Sequence, residues 1–317
     1  MNCLSRVGWV GGVVVCMAIP GQADPWKGQV QGGVGYWAGT TTYSIGGSAW
    51  SPQDGAVELP DKISELKFPL NVACGVVEGS LFYRQQFELH GEVMVNLTDP
   101  STPVTDSDFG LFGSRTAGRL DVYSESDATL SAMAVDVGFR YWIHDRTVSN
   151  RIACALGFGP TLVYQRTDWT VGNLDQWRPS SPKAPHDREP GQVGTYMAEI
   201  LMPCMEVSIM ARYKSLSGHI MVGAGPALIR DEDNHMLVQK RLTGELIGIG
   251  VKSSATLQYD LTQNLFVRGQ VKALSVQAVG TQTQRGYGGD NLGFYGEIDE
   301  TFSSATASAN VAVGCAF

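Results

Sequence analysis

Apolar and polar side chains alternate at period two along much of this chain. Between Phe87 and Leu97 the odd positions are Phe87, Leu89, Gly91, Val93, Val95 and Leu97, and Glu88, His90, Glu92 and Asn96 fall between them. From Met133 to Ile143 the odd positions Met133, Val135, Val137, Phe139, Tyr141 and Ile143 are apolar, with Asp136 and Arg140 on the even set. Leu66, Phe68, Leu70, Val72 and Cys74 alternate with Glu65, Lys67 and Asn71, and Leu265, Val267, Val271 and Ala273 alternate with Arg268, Gln270 and Lys272. Successive strand side chains point to opposite faces, so each segment predicts a strand with one apolar and one polar face. Ten strands are predicted, over 33–50, 62–77, 82–98, 128–143, 151–168, 193–213, 217–230, 238–259, 264–282 and 299–317.

A soluble sandwich would turn the apolar faces inward, and a membrane barrel would turn them toward lipid around a polar lumen. Two features favour the barrel. The alternation persists for about ten residues, the length of a tilted strand that crosses a bilayer. The chain also ends "SANVAVGCAF", with Val311, Val313, Cys315 and Phe317 on one face. The connections alternate in length as well. "VEGS", "HDRTVSN", "KSLSG" and "DLTQN" are short, and those around 51–61, 99–127, 169–192, 231–237 and 283–298 are mostly longer. Short turns on the periplasmic side and long loops outside are the rule for outer-membrane barrels. The expected fold is therefore all-β, a ten-stranded antiparallel transmembrane β-barrel with extended extracellular loops.

The N-terminus adds an export signal. Arg6, the apolar run "VGWVGGVVVCMAIP" and the small-residue site ending at Ala23 read as a signal peptide over residues 1–23, which leaves 24–317 as the barrel. A formal net charge of −8 does not indicate a nucleic-acid partner. Cys74, Cys154, Cys204 and Cys315 lie in apolar stretches at no metal-like spacing, and no bridge is assigned.

Parity then filters the chemistry. His144 and His219 belong to the short-turn end, His90 to the polar lumen, and His186 to the proline-broken "PKAPHDREP". His235 remains, in "RDEDNHM", two residues after Asp233. On the same rim "TDSDFG" carries Asp106 and Asp108, again two apart. If both segments continue as strands, each pair points one way, into the barrel mouth. An acid beside a histidine orients the ring and stabilises its charged form, so that the ring can take a proton from water. Two close carboxylates share a proton and can position that water. Metal ligation by Asp and His competes with this reading, and a solvated acidic surface is the blander one.

These residues resemble the omptin family, outer-membrane aspartyl-type endopeptidases built on a ten-stranded barrel. The resemblance runs over nearly the whole chain after residue 23 and rests on "DKISELKF" (Lys62, Ser64, Leu66), "TDSD", "LMPCMEV" (Met202, Pro203) and "DEDNH". It implies peptide-bond hydrolysis by activated water, with Asp106, Asp108, Asp233 and His235 as the catalytic residues. It further implies cleavage beside basic residues, with Asp231 and Asp121 as the acids that receive them and Tyr43 standing where a further acid is expected. No cofactor or metal follows from it. Implied partners are a peptide or protein substrate and outer-membrane lipid. Family members also require lipopolysaccharide, and here "YQRTD" keeps Tyr164 but reverses the charges at Arg166 and Asp168. The implied location is the bacterial outer membrane, as a monomer with the active-site loops outside. A non-catalytic barrel used for adhesion or structure, a diffusion pore and a soluble sandwich remain open at this point.

Overall fold

A computed structural model describes residues 26–110, 118–144, 152–181 and 184–317. The expected signal peptide and most of the "HDRTVSN" turn lie outside the described residues. Among the described residues the strands are β1 (Trp26–Ser51), β2 (Gly55–Glu58), β3 (Ser64–Pro69), β4 (Val72–Tyr83), β5 (Phe87–Asn96), β6 (Val104–Phe109) and β7 (Leu120–His144). They continue as β8 (Ala153–Trp177), β9 (Asp187–Tyr213), β10 (Leu216–His235), β11 (Lys240–Asp260), β12 (Leu265–Gly286) and β13 (Tyr295–Ala316).

Twelve of the thirteen strands occupy ten positions of a closed antiparallel barrel, and β2 is an extra hairpin partner of β1. β3 and β4 follow each other along β1, and β5 and β6 follow each other along β7. The β5–β6 break holds Pro100 and Pro103, which cannot donate to a ladder. Closure comes from β13, which pairs with β1 from Gln29↔Ala316 to Trp50↔Glu297.

Several strands outrun their predicted ends. "TDSDFG" is strand β6, β8 and β9 reach into the stretch expected as the 169–192 loop, and β10 runs through Asp233 to His235. "VEGS" lies inside β4, and the chain reverses instead at Arg84 and Gln85, with φ of 52° and 61°. A tight hairpin needs such positive φ values, and here non-glycine residues supply them.

The exterior is apolar. Val34, Leu89, Val207, Ile220, Ile249, Val271 and Val311 all lie on it, exposed. A ring of Tyr83, Phe87, Tyr141 and Phe158 marks its lower edge, with successive contacts of 6.4, 5.2 and 5.8 Å between ring centroids. At its upper edge the outward row turns charged, as Arg166, Glu199, Arg230 and Glu245 stand side by side across β8 to β11. An apolar belt between an aromatic girdle and a charged rim suits a strand barrel that spans a bilayer.

Period two alone does not say which face is inside. Leu66, Phe68, Leu70, Val72 and Cys74 point inward and are buried, the reverse of the other apolar faces. Together with Trp37, Trp169, Tyr196, Ile200 and Met202 they fill the lumen as an apolar layer. Below it the polar lumen residues pair with one another. Arg140 binds Glu88 at 2.7 Å and also Glu206, Lys252 binds Asp136 at 2.9 Å, Lys272 binds Glu92 at 2.6 Å and Arg268 binds Glu78 at 2.7 Å. Charges taken out of water persist only when paired in this way. The apolar layer thus separates a lower cavity of about 430 Å³ from an upper one of about 560 Å³.

Candidate active site

The upper cavity opens at the end of the barrel away from the described C-terminal end of the chain, and among its polar groups the titratable cluster comes from β6, β10 and β1. Asp233 and His235 are inward residues on the last turn-ward stretch of β10. Asp106 and Asp108 lie on β6, opposite Leu66 and Ser64 of β3. All four side chains line the one cavity, along with Tyr43 of β1 and Ser64. The two-residue spacing is what sends each pair inward, since both segments are strand.

His235 Nε2 lies 2.9 Å from Asp233 Oδ2. The same Oδ2 accepts a short hydrogen bond from the Tyr43 hydroxyl, which reaches across 190 positions of sequence. Ser64 Oγ donates to Asp106 Oδ1 at 3.3 Å. Beneath them Phe68 and Tyr196 stack at 4.0 Å, and Trp169 Nε1 donates to the Pro69 carbonyl at 3.0 Å. The polar groups therefore rest on a rigid aromatic floor.

The charges act on each other through this partly dry space. Burial, followed by the charge of Asp108, pushes the Asp106 carboxyl up to about 7, against the pull of His235. Burial also raises Asp108. Burial pulls the His235 imidazole down, but Asp233 first, then Asp106 and Asp108, outweigh it and lift the imidazole to about 9. Near neutral pH the site therefore holds one proton on the ring and contests a second between the two acids.

The other expected site residues sit differently. Asp121 is fully buried beside Arg119, whose Nε is 3.0 Å from Asp121 Oδ1, and it does not line the cavity. Asp231 is also buried, under the floor, and accepts from the Tyr196 hydroxyl at 3.0 Å. Burial raises Asp231 to about 6, and burial with the Asp231 charge raises its neighbour Glu300 to about 10. That pair is a proton-sharing acid couple, not an open anionic pocket. Tyr43 contacts Asp233, so its place is behind the histidine. His186 pairs with Asp175 at 2.7 Å on the β8–β9 hairpin, outside the cavity lining. Arg166 binds Asp168 at 2.8 Å and Glu199 at 2.9 Å on the outer rim. Among the described residues no group of three or more His, Cys, Asp and Glu is arranged to hold a metal ion.

Tyr43→Phe is predicted to lower kcat of any hydrolysis at this site by about tenfold, the value of one hydrogen bond to a charged group, with KM little changed. A rise in KM at constant kcat would return Tyr43 to substrate binding.

No protein-family model matches the chain. No curated protein sequence matches it either. Solved structures do. The outer membrane protease OmpT from Escherichia coli superimposes with a TM-score of 0.66 at 15% identity, covering 90% of this chain and 96% of that one. The translocator domain of the autotransporter NalP from Neisseria meningitidis follows with a TM-score of 0.33 at 10% identity, over 89% of this chain and 88% of that one. OprG from Pseudomonas aeruginosa gives 0.31 at 10% identity, over 92% and 95%. The latter two scores are too low to bear on this chain. The first shows the fold: this chain is an outer-membrane-type β-barrel.

Proposed function

We propose that this barrel is an omptin-like endopeptidase of the bacterial outer membrane, with its cavity facing outward. One observation carries the reading. An Asp233–His235 dyad and an Asp106–Asp108 pair, from strands far apart in sequence, line the same cavity above a lipid-facing belt. Water held between them attacks the substrate carbonyl carbon. His235 takes the proton from that water, Asp233 holds the ring, and Asp106 with Asp108 positions the water and donates to the developing oxyanion. The carbon–nitrogen bond then breaks, and the proton on His235 passes to the departing amine.

The proton distribution supports a second assignment of the same groups. With His235 near 9 and Asp106 near 7, the dominant singly protonated site holds a carboxylate and an imidazolium. In that state the acid pair would take the water's proton and the imidazolium would donate. Both assignments use a site carrying one proton between Asp106 and His235. They therefore share a pH profile: kcat/KM should rise through about 7, hold, and fall through about 9. Cleavage of quenched fluorescent peptides by the folded barrel, followed across pH, measures it. A folded preparation, shown by its heat-dependent gel shift, that cuts no peptide in a broad set would support the non-catalytic scaffold instead. The filled lumen speaks against a diffusion pore, since an apolar layer and paired charges occupy the channel. Cleavage and lipid requirement are tested together by assaying the purified barrel with and without lipopolysaccharide, and the monomeric state by the mass of the same preparation in light scattering.

A further inference from the structure

The four catalytic candidates, with uncharged polar groups such as Ser124, Ser126, Gln176 and Gln284, account for only part of the upper cavity. Much of its remaining wall is aliphatic: Ile45, Val171, Leu174, Val193, Leu242 and Ile298 all line it. The hairpin tip that follows His235 adds Leu237 and Val238, which also line the cavity yet remain 52% and 48% exposed. They stand above the charged rim of the belt, where lipid does not cover them. Large apolar groups held open beside a polar cluster mark a surface that something covers.

Charge narrows what that something is. The acids expected to receive a basic side chain are not presented: Asp121 is buried beside Arg119, and Asp231 lies buried with Glu300. The cation Lys240 does line the cavity, its ammonium 4.5 Å from the centre of the Phe294 ring. Lys240 pairs across the hairpin with His235 itself. A guanidinium or ammonium entering here would meet Lys240 and the His235 side chain. Three carboxylates also line the cavity, but Asp233 is already bound by His235 and Tyr43, and Asp106 and Asp108 are the pair assigned above to the water, so none of them is left to receive it.

Resting on the hydrolytic reading above, we propose that the cavity receives an uncharged aliphatic or aromatic side chain next to the scissile bond, and that Leu237, Val238 and Lys240 set this preference against basic residues. An extended peptide would lay its backbone between the acid pair and the dyad, with one apolar side chain against the aliphatic wall.

The test uses the full barrel in detergent and peptides identical except at the residue before the scissile bond, which is Leu, Phe, Arg, Lys or Glu. Binding of the same peptides to the His235→Ala barrel is measured by fluorescence anisotropy. The expected result is that Leu and Phe peptides are cut at least about tenfold faster than Arg and Lys peptides, as one well-buried side chain allows. Leu237→Asp with Val238→Asp, at exposed positions, should abolish that preference, and Lys240→Gln should raise cleavage of the Arg peptide. Arg or Lys peptides cut as fast as Leu and Phe would overturn the preference and leave the hydrolase standing. Leu and Phe peptides that bind without being cut, with binding lost in the Leu237→Asp, Val238→Asp barrel, would remove the hydrolase and keep the apolar pocket. Neither cleavage nor binding would remove both.

Discussion

His235→Ala is expected to lower kcat/KM for peptide cleavage by about 10³-fold, within the range for loss of a positioned proton-transfer group. The barrel should still fold. His235 is the last residue of β10, next to a turn, and its side chain is one-third exposed. Its loss leaves Asp233 accepting from Tyr43. Two things disappear with the ring. One is the group that exchanges the proton with water and the leaving amine. The other is the cation that holds Asp106 down against burial and Asp108. Without it Asp106 should titrate higher, so residual activity that uses its carboxylate should rise at a more alkaline pH to a plateau, with no fall through about 9. The sign follows because removing a positive neighbour disfavours the carboxylate. A variant that folds, shown by its gel shift, and keeps full turnover would reduce "RDEDNHM" to a structural hairpin end.

Much of this site was readable from spacing. Asp106 with Asp108, and Asp233 with His235, are two apart, and in a strand that spacing alone sends each pair to one face. The belt was readable for the same reason, from runs such as Phe87–Leu97 and Met133–Ile143. What escaped has physical causes. Above the membrane both faces of a strand meet water or polar neighbours, so the alternation fades, and β8 beyond Asp168 reads like a loop although it is strand to Trp177. Leu66 to Cys74 alternates as cleanly as the belt but faces inward, because at that level the lumen itself is apolar. The contact of Tyr43 with Asp233 joins residues 190 positions apart, and only barrel closure, β13 onto β1, creates that neighbourhood. Glu300 of β13 meets Asp231 of β10 with two strands between them, which no local spacing shows. Lys240 was hidden as an ordinary charged residue after a turn, five positions beyond His235.

The acid pair provides the second large effect and also divides the two assignments of roles. Asp106→Asn combined with Asp108→Asn should lower kcat/KM by about 10³-fold and erase the rise through about 7, since Asp106 is the group that titrates there. His235 should then titrate lower, because two of the carboxylates that hold its proton are gone. If the imidazolium is the donor, the fall at alkaline pH should begin earlier, and if the neutral ring is the base, the residual activity should rise there instead. Neither substitution is expected to unfold the barrel: both side chains face a cavity, and an amide at position 106 can still meet the Ser64 hydroxyl. The single change Asp106→Asn separates the readings. If His235 is the base, Asp106 acts as a protonated donor, and an amide N–H at that place keeps a donor, so the loss should stay within about tenfold. If the carboxylate is the base, the amide cannot replace it, and the single variant should be as poor as the double one, as expected of groups that act as a unit. The pKa order of His235 and Asp106 favours the carboxylate in population, and the dyad geometry favours the ring in position. The ratio of single to double loss, measured on the plateau between the two limbs, shows which of these governs the chemical step.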